Sequence, residues 1–184
     1  MAPALNHRHA LEGRVSGFSS FAGIDHLSIP RRPAIVSVLA HAGHETAAEA
    51  ALQAIPRASA RVVGPGQWLV VSQDLGADEL VAEITTRTGP AASVIDSSDA
   101  QVLLCLDGPN VRRILAKCVA VDVHRDVFPE GRSTNALVAR VSANIARTGP
   151  DRFEIVVGRS LALGAFEEIL EMGREFELSA GFAD

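Results

Sequence analysis

The stretch Leu103-Leu104-Cys105-Leu106-Asp107-Gly108-Pro109-Asn110-Val111 leads from an apolar run through a Gly-Pro turn into a helical pattern. The apolar run predicts a buried strand. Pro109 suits the first position of a helix, where its missing N–H costs nothing, and Asp107 or Gly108 can cap the free amides there. Beyond the turn, apolar residues recur at helical spacing, at Val111, Ile114, Leu115 and Cys118. We therefore predict a strand–turn–helix unit that opens the second half of the chain.

The part of the chain before this unit predicts alternating strands and helices. A β-branched run at residues 35–39 and a helix face at residues 47–55 are followed by a hairpin around Gly64-Pro65-Gly66. A second helix over residues 78–84 then precedes a short strand at residues 93–95. This βαββαβ order is that of a ferredoxin-like motif.

The second half predicts the same order of elements with one interruption. A strand at residues 101–106 and a helix at residues 109–117 are followed by an irregular insertion at residues 118–133. Extended segments and a hairpin then lead to a last helix, with Ser160 as its cap and Gly173 at its end.

Two sequence offsets support an internal repeat. Residues 64–71 match residues 149–156 at an offset of 85 (149 − 64), and the opening strands match at an offset of 67 (102 − 35). The difference of 18 (85 − 67) is close to the length of the insertion. The predicted fold class is therefore α+β, with two ferredoxin-like halves, the second carrying an insertion, and an N-terminal extended arm. The alternative is a chance agreement between two Gly-Pro turns.

This pattern divides the chain into four segments. Residues 1–33 contain three prolines and no sustained periodicity, which predicts an arm that is extended or ordered by partners. Residues 34–100 form the first half, and residues 101–175 form the second half with its insertion at 118–133. Residues 176–184 are a tail.

The composition favours a packed protein that does not bind nucleic acid. Of the 184 residues, 47% are hydrophobic, and the net charge of −5 lacks the basic face that nucleic-acid binding needs. No apolar run reaches the length of about 18 residues that predicts a membrane span. The N-terminus lacks the apolar region of a secretory signal. We expect a cytoplasmic protein, and a transit peptide is the alternative interpretation of residues 1–21.

The stretch His41-Ala42-Gly43-His44-Glu45 is the cluster most similar to a metal site. A stable zinc site needs three or four ligands. No second pair with ligand spacing follows, because His124 stands alone and His7 and His9 lie in the arm. We interpret these histidines as solvated loop residues and predict no metal site.

The other reactive side chains have structural interpretations. Cys105 falls in a predicted strand and Cys118 at the end of a helix, so both are interpreted as small buried hydrophobic residues. Trp68 is interpreted as a core or interface anchor. Turn and strand-end positions suit backbone capping by three aspartates, namely Asp96, Asp99 and Asp107.

Motifs for catalysis and nucleotide binding are missing from the sequence. There is no G-x-S-x-G, no P-loop and no G-x-G-x-x-G fingerprint. The turn Gly108-Pro109-Asn110 offers helix amides to an anion, but a tight connection is the simpler interpretation. We therefore predict no catalytic and no cofactor-binding residue.

Several segments, in one order, resemble the γ subunit of heterotetrameric sarcosine oxidase. They are Gly64–Val71, Leu106–Lys117, Val121–His124 followed by Phe128–Arg132, and Arg147–Gly149 with Phe153–Ser160. They correspond to the first hairpin of that family, its central strand–helix segment, its insertion and its last hairpin with the helix start. The resemblance covers about residues 31–172.

The same segments resemble, more distantly, the N-terminal part of the glycine-cleavage aminomethyltransferase, or T-protein. This resemblance implies a βαββαβ-type relative of the folate-binding fold. That family has an aspartate pair in its central hairpin, and one carboxylate assists folate chemistry. The comparable stretch here is Val141-Ser142-Ala143-Asn144-Ile145, which has no acid. The resemblance therefore transfers no catalytic carboxylate to this chain.

The resemblance to the sarcosine oxidase subunit implies a non-catalytic, accessory role. We expect α, β and δ partner subunits to carry flavin, NAD, folate and zinc, and this chain to carry no cofactor. Such a complex demethylates sarcosine or a related N-methyl amine and feeds one-carbon units to tetrahydrofolate. Two alternatives stay open: a free-standing folate-dependent one-carbon transferase, and a ligand-sensing ferredoxin-like module.

Overall fold

The computed structural model describes residues 8–15 and 23–183, which form two β-sheets with helices on their outer faces. The helices are α1 (Glu12–Val15), α2 (Glu45–Gln53), α3 (Ala77–Thr88), α4 (Val111–Cys118) and α5 (Ala162–Gly173). The strands are β1 (His26–Pro30), β2 (Ala34–Ala40), β3 (Ser59–Gly64), β4 (Gln67–Ser72), β5 (Ala92–Asp96), β6 (Gln101–Asp107), β7 (Ser133–Val138), β8 (Val141–Gly149), β9 (Arg152–Gly158) and β10 (Ser179–Ala183). None of these helices is long and apolar enough to cross a membrane. Residues 1–7 and 16–22 of the predicted arm lie outside the described residues.

The first half forms a four-stranded antiparallel sheet in the order β3-β4-β2-β5. Because successive strand residues point to opposite faces, Val36, Trp68 and Val70 face α2 and α3. The helices contribute the buried residues Leu52, Leu80 and Ile84 to this core. The predicted βαββαβ order of this half is confirmed.

The second half forms the larger sheet, in the order β10-β1-β6-β9-β8-β7. In this sheet β6, β8 and β9 correspond to β2, β3 and β4 of the first sheet. Helices α4 and α5 cover its outer face and bury, among others, Ile114, Leu115, Phe166 and Ile169. The α+β class with two ferredoxin-like halves is therefore confirmed.

Strand β1 occupies the place beside β6 that β5 occupies beside β2. It pairs with β6 in antiparallel fashion and with β10 in parallel fashion. Leu27 and Ile29 of β1 are fully buried. Residues 26–30, within the predicted arm, and residues 179–183, within the predicted tail, are thus strands of the core sheet, which differs from the predicted segments. The physical reason is that β1 buries two apolar side chains against distant elements, which its short sequence does not reveal.

The two halves follow each other at the predicted offsets. Strand β6 matches β2 at an offset of 67 at both of its ends (101 − 34 and 107 − 40). Helix α5 matches α3 at an offset of 85 at both ends (162 − 77 and 173 − 88). Both hairpins have a register shift, one between Val62 and Gly64 and one between Arg147 and Gly149, and these shifts have the same offset as the helices (147 − 62). Chance agreement between two turns does not explain this match, and the internal repeat is confirmed.

The inner faces of the two sheets pack against each other. This interface buries Ile35, Leu69, Val71, Leu103, Cys105 and Val156. The order of layers is therefore helix, sheet, sheet, helix. Polar groups placed between the sheets are enclosed by both halves.

The insertion predicted at residues 118–133 is irregular over residues 119–132, because Cys118 ends α4 and Ser133 begins β7, and it is anchored to the core. Val123 and Phe128 are buried, and the Phe128 ring lies 5.9 Å from the ring of Phe153. Arg147 donates an N–H from Nη1 to the carbonyl oxygen of Phe128 at 3.0 Å. These contacts fix the insertion against β8 and β9.

Two predicted helix starts are wrong. Helix α4 begins at Val111 with Asn110 as its N-cap, rather than at Pro109, because Gly108 turns the chain with a φ of +135° before the helix starts. Ser160 lies in a 3₁₀ turn, and α5 begins at Ala162 with no side-chain cap. Such tight turns often form the first turn before an α-helix.

Candidate functional site

The helix start in the strand–turn–helix unit binds a carboxylate from its own chain. Asp25 is buried and lies against the first residues of α4. Its Oδ1 accepts a hydrogen bond from the backbone N–H of Asn110 at 2.9 Å, and its Oδ2 accepts one from the Asn110 side-chain amide at 2.8 Å. Negative charge is favourable at a helix amino end. The anion at this turn is therefore Asp25, and the predicted capping by Asp107 or Gly108 is wrong.

This close approach depends on Gly108. A Cβ atom there would lie 2.7 Å from Asp25 Cα and 2.7 Å from the carbonyl oxygen of Ile24. Its φ of +135° is also one that glycine adopts without strain. Gly108 is thus needed for the turn and for the position of the segment that leads into β1.

A buried ion pair joins the two halves between the sheets. Arg61 of β3 is 1% exposed, and its Nη2 donates to Oε2 of the buried Glu154 of β9. Gln73 donates from Nε2 to Glu154 Oε1 at 2.8 Å. Burial lowers the pKa of Arg61, and the charge of Glu154 opposes this shift. Because a lone buried charge is costly, each partner depends on the other.

The polar cluster continues along the second sheet. Arg152 Nε lies 3.7 Å from Glu154 Oε1, and Arg152 Nη1 donates to Asp107 Oδ1 at 3.4 Å. Burial raises the pKa of Asp107, while Arg152 opposes the shift. Burial, and then the charge of Glu154, raise the pKa of the Cys105 thiol to about 12. This thiol is therefore protonated at neutral pH and is a poor nucleophile.

His26 connects the cluster to the N-terminal strand. Its Nδ1 lies 2.7 Å from Ser179 Oγ of β10, and that hydroxyl donates to the carbonyl oxygen of Asp25 at 3.1 Å. Burial lowers the pKa of His26, and the charge of Asp107 opposes the shift. Charged and polar side chains thus connect the first half, the second half and β1.

The stretch comparable to the T-protein hairpin has a structural amide in place of an acid. Asn144 is buried, and its Nδ2 donates to Asn135 Oδ1 at 3.0 Å and to the carbonyl oxygen of Val62 at 3.5 Å. Asn135 Nδ2 donates to the carbonyl oxygen of Val63 at 2.6 Å. These bonds satisfy carbonyl groups of β3, which is an edge strand of the first sheet. Proteins commonly cover the unpaired backbone groups of an edge strand.

The predicted histidine pair lies apart from this cluster. His41 and His44 are exposed just before α2. His41 Nδ1 lies 2.8 Å from the carbonyl oxygen of Pro90, and its Nε2 lies 3.1 Å from Ser93 Oγ. Within residues 8–15 and 23–183, no three His, Cys, Asp or Glu side chains are grouped so as to hold a metal ion.

The remaining histidines are scattered. His124 is exposed in the insertion. His9 is buried, and its ring meets that of Phe182 edge-on at 5.1 Å between centroids. His7 lies outside the described residues.

The other sequence candidates lie in separate environments. Trp68 is buried in the core of the first half. Cys118 is half-buried, and burial raises the pKa of its thiol to about 11. Asp96 accepts hydrogen bonds from the N–H and the hydroxyl of Ser98, which is the turn role expected of it.

A cleft of about 410 Å³ opens at the seam between the halves. Its walls include Arg31 and Arg32 from the β1–β2 connection, and Arg159 from the turn before α5. Asp96 and Asp99, from the connection between the halves, line it as well. The cleft therefore presents charges of both signs.

The sequence patterns did not single out Arg61, Glu154 or Asp25, and they did not bring the aspartates at 96 and 99 together with the arginines of the cleft. Arg61 and Glu154 do carry a signal, because each is a charged residue within an apolar strand, where an unpaired charge would be costly. Asp25 carries no local signal, since its partner Asn110 lies 85 residues away.

A comparison with protein families identifies the chain. The model of the Sarcosine oxidase, gamma subunit family matches residues 31–169. The chain belongs to this family. The resemblance drawn from segments within residues 31–172 is thereby confirmed, and the match spans both ferredoxin-like halves of this gamma-family chain.

Two solved structures have the fold of this gamma-family chain. The heterotetrameric sarcosine oxidase from Corynebacterium sp. U-96, in complex with pyrrole 2-carboxylate, contains a chain that is 21% identical with a TM-score of 0.76, covering 92% of this chain and 96% of that one. The glycine cleavage system aminomethyltransferase T from Bartonella henselae is 18% identical with a TM-score of 0.60, covering 87% of this chain and 48% of that one. The T-protein-like fold is confirmed. Comparison with curated proteins finds no match.

Proposed function

We propose that this chain is the accessory γ subunit of a sarcosine oxidase-like heterotetramer that oxidatively demethylates sarcosine or a related N-methyl amine. The family match over residues 31–169 carries the proposal. In this role the α, β and δ subunits carry the flavin, NAD, folate and zinc, and the one-carbon unit passes to tetrahydrofolate. The chain itself supplies a folded surface and no reacting group.

The similarity to a chain of a heterotetrameric oxidase supports this role. That similarity extends over 96% of the other chain, so it concerns a polypeptide of similar extent rather than one domain of a larger enzyme. The T-protein match, in contrast, covers only 48% of its chain. A subunit of a complex is therefore favoured over a free-standing transferase.

The buried charged groups form hydrogen bonds and ion pairs within the fold, and this also supports an accessory role. Arg61 and Glu154 neutralise each other between the sheets, and Asp25 is bound to the start of α4. Cys105 holds its proton at neutral pH because burial raises the pKa of its thiol. Arg61, Glu154 and Asp25 are thus bonded within the fold and the Cys105 thiol is a poor nucleophile, which agrees with a subunit that supplies no reacting group.

The proposal is tested by co-expressing a tagged copy of the chain with its candidate partner subunits. We expect the tag to retain a yellow, flavin-containing assembly that oxidises sarcosine in the presence of an electron acceptor. Omission of the chain should reduce the yield of that assembly. Recovery of the chain alone, or full yield of an active assembly without it, would contradict the proposal.

The isolated full-length chain provides the second arm of the test. It should be colourless and inactive toward sarcosine, and calorimetry should detect no binding of tetrahydrofolate. Turnover by the isolated chain contradicts an accessory role. Tetrahydrofolate binding with transfer of a one-carbon unit establishes the transferase alternative instead.

A further inference from the structure

The cleft at the seam of the halves is built from segments that are distant in sequence. Residues 31–33 form one wall, residues 96–102 another, and Arg159 a third. The amino end of α3, at residues 76–77, and His9 complete the lining, and no side chain caps that helix end. A volume of about 410 Å³ lies within the range of small-molecule sites.

The cationic side of the cleft consists of three arginines. Arg31 lies over the Phe182 ring, with its guanidinium carbon 4.0 Å from the centroid, and approaches Glu12 at 3.9 Å. Arg159 donates one N–H to the carbonyl oxygen of Arg8. Arg32 is exposed and has no hydrogen bond or ion pair with residues 8–15 or 23–183. Guanidinium groups bind carboxylates through paired N–H donors, so Arg32 and Arg159 have donors to offer.

The acidic side comes from the connection between the halves. Asp96 Oδ1 accepts the N–H and the hydroxyl of Ser98 at 2.9 and 2.6 Å, which fixes the orientation of this carboxylate. Asp99 adds a second negative charge on the same connection. Within the described part of the chain, no ion pair joins Asp96 to an arginine of the cleft.

We propose that this cleft binds a small zwitterion, namely a free amino acid. Its carboxylate pairs with Arg32 and Arg159, and its ammonium group lies at the side of Asp96. The cleft has a formal charge of +1 from three arginines and two aspartates (3 − 2). A polyanion such as a nucleotide meets two carboxylates there, and a simple cation meets three arginines, so a molecule with both charges fits best. This inference stands apart from the proposed oxidase complex.

The test measures ligand binding to the full-length chain. The probes are the zwitterions glycine and alanine, with acetate, methylammonium and inorganic phosphate as comparisons that carry charge of only one sign. A ligand that binds only the native state raises the melting temperature progressively, because the stabilisation grows with the logarithm of the free ligand concentration above the Kd. We expect this rise with both zwitterions. Calorimetry should give affinities for the comparison probes that are at least about tenfold weaker, because each lacks one of the two charged groups.

Two variants locate the site. Arg32→Gln and Asp96→Asn should each weaken zwitterion binding at least about tenfold. Both positions are exposed, and the amide that Asp96→Asn introduces keeps an acceptor for Ser98, so the melting temperature without ligand should not change. Arg125→Gln, which removes an exposed arginine of the insertion, is the matched control and should bind normally.

Three results would overturn the inference. They are the absence of a concentration-dependent rise of the melting temperature with either zwitterion, an equal response to acetate or phosphate, and unchanged zwitterion binding by Arg32→Gln. The second result would identify a simple anion site. None of these results bears on assembly with partner subunits, which the co-expression experiment measures separately.

Discussion

Gly108 controls the position of a segment that lies far from it in sequence. Because it has no side chain, Asp25 reaches the backbone N–H of Asn110 and occupies the helix start. Any side chain at this position would collide with the backbone of Ile24 and Asp25. One glycine thus connects the central turn of the second half to the N-terminal strand.

Gly108→Ala should destabilise the protein by at least about 3 kcal/mol. The alanine adopts a φ of +135° with strain, and its Cβ displaces Asp25 from the start of α4. Urea unfolding followed by circular dichroism measures the free energy of unfolding. The matched control is Gly164→Ala in α5, where a Cβ meets open space and helix propensity predicts a gain of about 0.5–1 kcal/mol. Equal effects of both changes would contradict the role of Gly108.

Stability should fall as the pH is lowered through the ordinary His26 pKa of 6.5. Burial lowers the pKa of His26 in the folded protein, so the unfolded chain takes up a proton first and gains stability relative to the fold. The loss begins near pH 6.5 and ends once the pH is below the folded-state pKa. Melting temperatures between pH 8 and about pH 5 measure it. His26→Gln should flatten this profile, while His124→Gln, at an exposed position, should leave it unchanged.

At the scale of elements, β1 completes the second ferredoxin-like half. In the first half, β5 lies directly beside β2, whereas in the second half β1 lies between β6 and β10. The strand that follows α5, β10, is therefore separated from β6 by β1, whereas β5 pairs directly with β2. The N-terminal strand becomes part of the core because Leu27 and Ile29 fill the layer between the sheet and its helices.

Ile29→Ala should cost about 2–4 kcal/mol of unfolding free energy, because it opens a cavity in this core. Ile24→Ala removes a side chain that is 82% exposed, just before the same strand, and should cost less than about 0.5 kcal/mol. Urea denaturation of both variants gives the comparison. A small effect of Ile29→Ala would show that β1 separates from the sheet in solution.

At the scale of the whole molecule, the junction of the halves combines an apolar interface with a charged cluster. The ion pair between Arg61 and Glu154 crosses from one sheet to the other within this layer. Such a pair is weak evidence for stability in itself, since both charges lose their hydration. The pair does make the packing of the two halves specific, because any other arrangement leaves two charges buried without partners.

Arg61→Met should destabilise the protein by about 3–5 kcal/mol, because Glu154 then stays buried with its main partner gone. The double variant Arg61→Met, Glu154→Met should recover most of this loss. Removing an exposed pair by Arg87→Met, which breaks the contact with Glu83, should cost less than about 1 kcal/mol. Chemical denaturation of the unmodified protein, Arg61→Met, Glu154→Met and the double variant supplies the double-mutant cycle. Failure of the double variant to recover would show that Arg61 acts through packing and not through its charge.

The sequence by itself determined the order of the elements, the two ferredoxin-like halves and the family. Periodicity, Gly-Pro turns and a repeated hairpin are local patterns that the sequence displays directly. The two offsets predicted between the halves are also the offsets between the corresponding strands and helices of the structure. Only the tertiary structure decided the place of β1, the capping of α4 by Asp25 and the pairing of Arg61 with Glu154. Their partners lie far away in sequence, 93 residues in the case of Arg61 and Glu154, so no local pattern specifies them. The same holds for the cleft, because its two charged sides meet only where the halves pack together.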